Sequence, residues 1–143
     1  MKAGYTHYSL EDLDTHPEKP GSRWELSPEL GIEAFNFNVA IIDPDERLSQ
    51  THFHYHHEQS ELFYVAAGRC RVETESEGFD LETNEIVVFE PGESGVHVLH
   101  NPFDAPCTIV AVGWPPEDRH PVTKVETLES LLERRYGEDY QSG

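Results

Sequence analysis

Four of the nine histidines fall within one segment, THFHYHHEQSE, whose second residue is His52. In a β-strand, residues two apart share a face, so His52, His54 and His56 would point the same way. Two imidazoles side by side on a rigid strand form half of a site for zinc, iron, manganese or nickel. A tight turn after the strand would return the Glu61 carboxylate to the same end. His97, at the start of a later predicted strand, could complete a metal site.

Most of the chain has the pattern of short strands separated by turns. Between residues 32 and 42, apolar residues at odd positions alternate with Asn36 and Asn38, which is the period of a strand. Many short strands with frequent turn signals favour a sandwich or a barrel. The predicted strands are 32–42, 52–56, 61–67, 69–75, 86–89, 96–100 and 107–114.

The two ends differ from this pattern. Between Thr127 and Tyr136, apolar residues recur at i, i+3, i+4 and i+8 from Leu128, which predicts a helix that stops at Gly137. Near the N-terminus, residues 9–13 predict one helical turn with Ser9 as its N-cap.

The residues around the histidine segment resemble the first motif of the cupin superfamily. That motif has two histidines two apart, three or four residues, a glutamate, six residues and a glycine. Here His54, His56, Glu61 and Gly68 fall in that register. A frame two residues earlier would need a glycine where Val65 stands. The second cupin motif ends in a histidine, three residues and an asparagine, as His97 and Asn101 do.

The resemblance implies a small, single-domain, cupin-2-like, metal-binding protein. We expect an all-β double-stranded β-helix, the jelly roll or cupin barrel, with a short C-terminal helix. Residues 1–143 would form one domain, with the barrel core at about 30–115, an N-terminal extension at 1–29 and a tail with the helix at 116–143. One divalent metal ion would bind His54, His56, Glu61 and His97; the sequence leaves open iron, manganese, nickel, zinc and copper.

The pocket beside this site is predicted from strand parity. Phe63 and Val65 share parity with Glu61 and would form an apolar wall, while Asn36 and Asn38 would line it if their face turns inward. No proton-transfer group is assigned, although His52 is a candidate that could instead be a ligand or a rim residue. We expect Arg69 and Arg71 to face solvent. We expect Glu58 and the remaining histidines to be structural or at the surface; these histidines are His7, His16, His57, His100 and His120.

The composition bounds the partners and the location. With 28 acidic and 10 basic residues, the net charge of −18 excludes nucleic acid and anionic membranes as expected partners. Dispersed acid with scarce lysine is typical of a salt-adapted surface, the alternative being an ordinary acidic cytosolic protein. Without a long apolar run or a leader pattern, the expected location is the cytoplasm. Cys70 and Cys107 should be buried and reduced, with a bridge left open.

Related cupins include dioxygenases, decarboxylases and sugar isomerases. The resemblance therefore implies a metal-dependent enzyme for a small oxygenated organic molecule. Two alternatives remain: a non-catalytic metal-centred binding or sensing protein, and a barrel with an empty or weak site. We also expect a homodimer through an apolar sheet face, with a monomer as the alternative. The aromatic residues for that face are Trp24, Phe35, Phe37 and Trp114.

Overall fold

The computed structural model describes residues 4–15, 22–45, 52–116 and 122–137. In this part of the chain there are ten strands, two α-helices and two short 3₁₀ turns. The helices are α1 (Leu26–Leu30) and α2 (Leu128–Tyr136), and the 3₁₀ turns are Leu10–Asp12 and Glu93–Gly95. The strands are β1 (Ser22–Glu25), β2 (Asn36–Ile42), β3 (His52–His56), β4 (Ser60–Ala67), β5 (Cys70–Thr74), β6 (Gly78–Leu81), β7 (Ile86–Phe89), β8 (His97–His100), β9 (Cys107–Trp114) and β10 (Val122–Thr127).

The strands form two five-stranded antiparallel sheets. Sheet 1 has the order β1-β2-β9-β4-β7, and sheet 2 has the order β10-β3-β8-β5-β6. Consecutive strands lie in different sheets almost throughout, so the chain winds back and forth between the two layers. This winding is the jelly roll, and with α2 at the end it confirms the predicted fold class. In the described part of the chain, no helix is long and apolar enough to cross a membrane.

The core lies between the two sheets and follows from strand alternation. On β9 the buried residues are Cys107, Ile109, Ala111 and Gly113, while the residues between them are partly exposed. Cys70 and Cys107 are buried and both are free thiols, as predicted. The hydrogen bond with Cys107, together with burial, raises the pKa of the Cys70 thiol.

A second apolar cluster joins α2 to the outer face of sheet 2. Phe53 of β3 and Val98 of β8 pack there with Leu131 of the helix, which is fully buried. The helix starts where Thr127 Oγ1 accepts a hydrogen bond from Ser130 N at 3.1 Å. It ends at Gly137 as predicted. Both ends of the helix predicted from the period of apolar residues are therefore confirmed.

A buried carboxylate also ties α2 to sheet 2. Glu73 on β5 has no exposed surface, and its oxygens lie 3.1 Å from Arg71 Nε and 3.0 Å from Arg135 Nη1. Tyr136 Oη donates a third bond at 2.9 Å, and His100 Nε2 lies 3.9 Å away. The prediction that Arg71 faces open solvent is therefore wrong, because α2 covers that part of the sheet. Burial alone would raise the pKa of Glu73, but these partners lower it to about 2.

Four elements were absent from the sequence prediction: β1, α1, β6 and β10. Each is short, and β10 carries Lys124 and Glu126 among its six residues, so none has a clear apolar period. As a result the two sheets run from Ser22 to Thr127, beyond the predicted core of about 30–115. At residues 9–13 a 3₁₀ turn forms, but Ser9 makes no side-chain capping bond.

The turn between β4 and β5 requires a glycine at position 68, and this requirement can be tested by substitution. Gly68 has a φ of 76°, and a Cβ there would lie 2.4 Å from the backbone oxygen of Pro106. We expect Gly68→Ala to lower the free energy of unfolding by about 2 kcal/mol or more, since both the left-handed backbone and the contact disfavour a side chain. Urea denaturation measures this, with Gly4→Ala as the control because that glycine has open space around it. Equal stabilities of the two variants would contradict the assignment.

The Glu73 network predicts a pH dependence. Because the folded-state pKa of about 2 lies below the ordinary value of 4.5, ionised Glu73 stabilises the fold above pH 4.5, and this is lost as the pH falls towards 2. We expect Glu73→Gln to cost about 3 kcal/mol at pH 7 and progressively less below pH 4.5. Denaturation from pH 7 to 3 tests this against Glu75→Gln, at an exposed neighbouring position. A constant difference at every pH would count against the network.

Candidate metal centre

Strand β3 places the histidines. His52, His54 and His56 point into the barrel, while Phe53 packs on the opposite face against α2. His56 is buried and the other two are half-buried. The alternation predicted from the sequence is therefore present, and it gives the barrel interior a row of three imidazoles.

Two further strands complete a cluster of four donors. Within sheet 2, His97 of β8 is the direct cross-strand neighbour of His54. Glu61 lies near the start of β4, in sheet 1, after the turn that follows β3. The ligand atoms of His54, His56, Glu61 and His97 all lie within 4.8 Å of one another. This spread is only slightly wider than the roughly 4.0–4.4 Å between opposite nitrogen or oxygen ligands of one first-row ion.

Backbone carbonyl groups fix which ring nitrogens face the centre. His54 Nδ1 lies 3.1 Å from the oxygen of His52, and His97 Nδ1 lies 2.7 Å from the oxygen of Gly95. Since a carbonyl oxygen only accepts, both Nδ1 atoms carry the proton and donate. The Nε2 atom of each neutral ring is then an acceptor with a lone pair directed at the centre, which is the form that binds metals.

Gly95 is required for this arrangement. A Cβ at this position would lie 1.8 Å from the backbone oxygen of Glu90, so any side chain would displace the 3₁₀ turn before β8. That turn presents the carbonyl group that orients His97. The ring is also held from the side, because Phe89 stacks on it with centroids 3.9 Å apart at 12°. The ring of Phe63 contacts it edge-on, with centroids 5.7 Å apart.

The Glu61 carboxylate faces the lone pair of His97 and the Nε2 atom of His56. Its Oε1 atom lies 2.8 Å from His56 Nε2 and 3.0 Å from His97 Nε2. Among the described residues, neither Glu61 Oε1 nor His97 Nε2 has a hydrogen-bond partner of acceptable geometry, although both atoms are buried. Two buried acceptors at this distance repel each other unless a cation lies between them. The donor set therefore fits a metal ion.

The pKa of His54 agrees with this fit. Burial, and then the nearby His97, lowers that pKa to about 4. At neutral pH His54 is therefore an unprotonated imidazole, so a metal ion would not have to displace a proton from it.

The predicted pocket residues fall in two groups. In sheet 1, Asn36 pairs with Gly113, which pairs with Glu61, so all three face inward. The next row, from Asn38 across β9 to Phe63, faces inward for the same reason. Val65 lies deeper: it is fully buried in the core cluster, which places it behind the pocket wall.

The other predicted positions lie apart from the four donors. His52 shares their face, but it is not in the cluster. His57 and Glu58 are exposed, as is His7, and His57 Nε2 lies 2.6 Å from Thr123 Oγ1. His100 faces the opposite side of sheet 2, towards Glu73, in agreement with its parity. Arg69 is exposed and stacks on Phe103, whereas His16 and His120 lie outside the described residues.

An inward-facing arginine was missed by the sequence prediction. Arg23 on β1 pairs with Ala40, a core residue, so its side chain enters the barrel from the edge of sheet 1. The alternation of Arg23 with Trp24 was the available signal, but a strand of four residues is too short to recognise by its period.

The chain belongs to the cupin domain family, whose family model matches residues 38–113, more than half of the chain. The matched range contains all four clustered donors. Among curated proteins, none matches this sequence. The family assignment therefore establishes the class of protein and leaves its activity open.

Solved structures show the same fold. A sugar phosphate isomerase of the cupin superfamily from Silicibacter pomeroyi is 24% identical with a TM-score of 0.66, over 76% of this chain and 74% of that chain. A provisionally assigned sugar phosphate isomerase from Acidithiobacillus ferrooxidans is 21% identical with a TM-score of 0.58, over 64% of this chain and 57% of that one. Oxalate decarboxylase from Lactobacillus farciminis is 18% identical with a TM-score of 0.61, and 89% of this chain spans only 37% of it.

Proposed function

We propose that this cupin is a metal-dependent enzyme that binds one divalent metal ion on His54, His56, Glu61 and His97. The observation that carries this is the convergence of four donor atoms, of which the buried Glu61 Oε1 and His97 Nε2 have no hydrogen-bond partner in the part of the chain that the structure describes. Iron, manganese, nickel, zinc and copper all accept three imidazoles and a carboxylate. The proposed reaction class is that of a dioxygenase, decarboxylase or isomerase acting on a small oxygenated organic molecule.

The surrounding residues suit such chemistry. A bound ion would supply a Lewis acid that polarises an oxygen atom of the substrate. Phe63 and Phe89 exclude water from the side of His97, which strengthens electrostatic interactions within the site. His52 is half-buried on the same face of β3 and is our candidate for proton transfer to or from a bound substrate. Asn36 and Asn38 would orient polar groups of that substrate.

Metal content tests the ligand set. After growth in defined metals, we expect the parent to hold close to one ion per chain and the His56→Ala/His97→Ala variant to hold little, because half of the donors are gone. His57→Ala is the matched control: it removes the exposed histidine next to His56 and should leave the metal content unchanged. Elemental analysis gives the stoichiometry. Equal, low metal in all three, even after reconstitution with each candidate ion, would refute the metal centre.

A second measurement separates an enzyme from a binding protein. We expect the metal-loaded parent to show substrate-dependent oxygen consumption, carbon dioxide release or isomerisation, and His52→Gln to lower the rate constant while keeping the metal. Bound iron or copper would direct the assay to oxygen chemistry, manganese to decarboxylation and zinc to isomerisation. A parent that binds small molecules without turnover would instead support the alternative, a metal-centred binding or sensing protein.

We further propose that the protein is a cytoplasmic, salt-adapted homodimer that pairs through the outer face of sheet 1. Two residues of β7 on this face, Ile86 and Val88, are 58% and 51% exposed, and Trp114 is 39% exposed. Register places Leu62 and Val112 beside Val88 in the same outward row. An apolar face of this kind marks an association surface.

The dimer gives a separate prediction. We expect light scattering to report twice the chain mass for the parent at both low and high salt, and the chain mass for Val88→Asp, which places a charge in the apolar face. Thr83→Asp, at an exposed position before the same strand, is the control and should remain dimeric. A parent of single-chain mass at both salt concentrations would overturn the dimer.

A further inference from the structure

The side chain of Gln59 lies on the inner face of sheet 1, beside one of the four clustered donors. Gln59 comes directly before β4, and only 3% of it is exposed. Its amide lies over Gly113, where an added Cβ would be 2.7 Å from Gln59 Nε2 and 3.0 Å from Gln59 Oε1. Gly113 faces inward and is the direct cross-strand neighbour of Glu61. Because Gly113 has no side chain, a buried amide fits next to the Glu61 carboxylate.

One hydrogen bond fixes the orientation of this amide. Gln59 Nε2 donates to the backbone oxygen of Pro115 at 3.0 Å. Since a carbonyl oxygen only accepts, the amide nitrogen must be on that side, and the Oε1 atom is directed elsewhere. Within the described ranges, no group donates a hydrogen bond to Gln59 Oε1. Unlike Glu61 Oε1, this oxygen is not fully enclosed, so a small molecule can reach it.

An acceptor in this environment selects for a ligand with a donor. A ligand that displaces water from the amide oxygen without replacing its hydrogen bond leaves a buried polar group unpaired, which costs free energy. Sites of this kind reject analogues that lack the donor. A hydroxyl group is a better donor here than an ammonium group, because a divalent ion with three neutral imidazoles and one carboxylate keeps a net positive charge that repels a second cation.

We propose that Gln59 Oε1 accepts a hydrogen bond from a hydroxyl group of the ligand that binds at the metal centre. The amide lies next to Glu61, so this hydroxyl group would be close to the ligand oxygen that faces the metal ion. The inference rests on the proposed metal centre. It narrows the substrate class from oxygenated molecules to hydroxylated carbonyl compounds, and it makes Gln59 a residue that determines specificity.

Hydroxyacetone and methoxyacetone test the inference, because both carry the same two oxygen atoms and only hydroxyacetone has an O–H group. The protein is reconstituted with zinc, which has no redox chemistry, and binding is measured by calorimetry. We expect the parent to bind hydroxyacetone more tightly. Gln59→Met keeps the length of the side chain and removes the acceptor, so it should weaken hydroxyacetone about 3- to 10-fold and change methoxyacetone little.

A second variant tests the same oxygen without altering the glutamine. Gly113→Ala places a methyl group where the end of the flexible Gln59 side chain now lies, so the amide must move away. We expect it to weaken hydroxyacetone selectively, as Gln59→Met does. Ser60→Ala is the matched control: it removes the polar group of the next residue, which pairs with Trp114 on the outer face of sheet 1, and should bind both probes as the parent does.

Zinc analysis of the same samples separates the possible failures. Equal zinc in the parent and both variants, with no selective loss of hydroxyacetone binding, would overturn the role of Gln59 and leave the metal centre intact. A zinc-loaded parent that does not prefer hydroxyacetone would overturn the ligand class. Loss of zinc in Gln59→Met would assign the amide to the positioning of Glu61 and also overturn the proposal. A parent that holds no zinc or other candidate ion would refute the metal centre itself, and this inference with it.

Discussion

The alternation of strand β3 is the constraint on which both layers of the molecule depend. Its even residues carry imidazoles into the barrel, and Phe53 on the other face packs against α2. A shift of one residue would exchange these faces, placing the aromatic ring beside the other clustered donors and the imidazoles against the helix. Pairing with β8 prevents this, because it sets His54 directly beside His97. The packing of the C-terminal helix and the geometry of the four-donor cluster therefore both depend on the register between β3 and β8.

Glu73 and Glu61 are both buried acidic residues, and the groups around each carboxylate determine what it can do. Glu73 is surrounded by fixed cations and a hydroxyl group, so its charge is satisfied within the protein and it stabilises the docking of α2. Glu61 faces the Nε2 atom of His97, whose lone pair points at it. The first arrangement is complete by itself, whereas the second becomes favourable when a cation lies between the acceptors. This difference distinguishes a carboxylate that stabilises the fold from one that could hold a metal ion.

Most of the fold was predictable where apolar residues recur over several turns or strand repeats. The helix α2 and the strand β9 were both found in this way, because packing against a core imposes their periods. The edge strands β1 and β10 were missed, since they are short and polar and are stabilised by pairing with a neighbouring strand. Missing β1 also meant missing Arg23, the one inward cation found among the residues of sheet 1 that the structure describes.

The local half of the site could be predicted from the sequence alone. The spacing of His54 and His56 on one strand, with Glu61 after a short turn, fixes their common direction because strand alternation is a local property. Tertiary structure decided the rest: it brought His97 beside His54 and turned Arg23 inward. It also showed that Glu61 Oε1 and His97 Nε2 are buried without a hydrogen-bond partner among the described residues. These relations depend on pairing between strands distant in sequence and on ring orientation, and no local pattern encodes either.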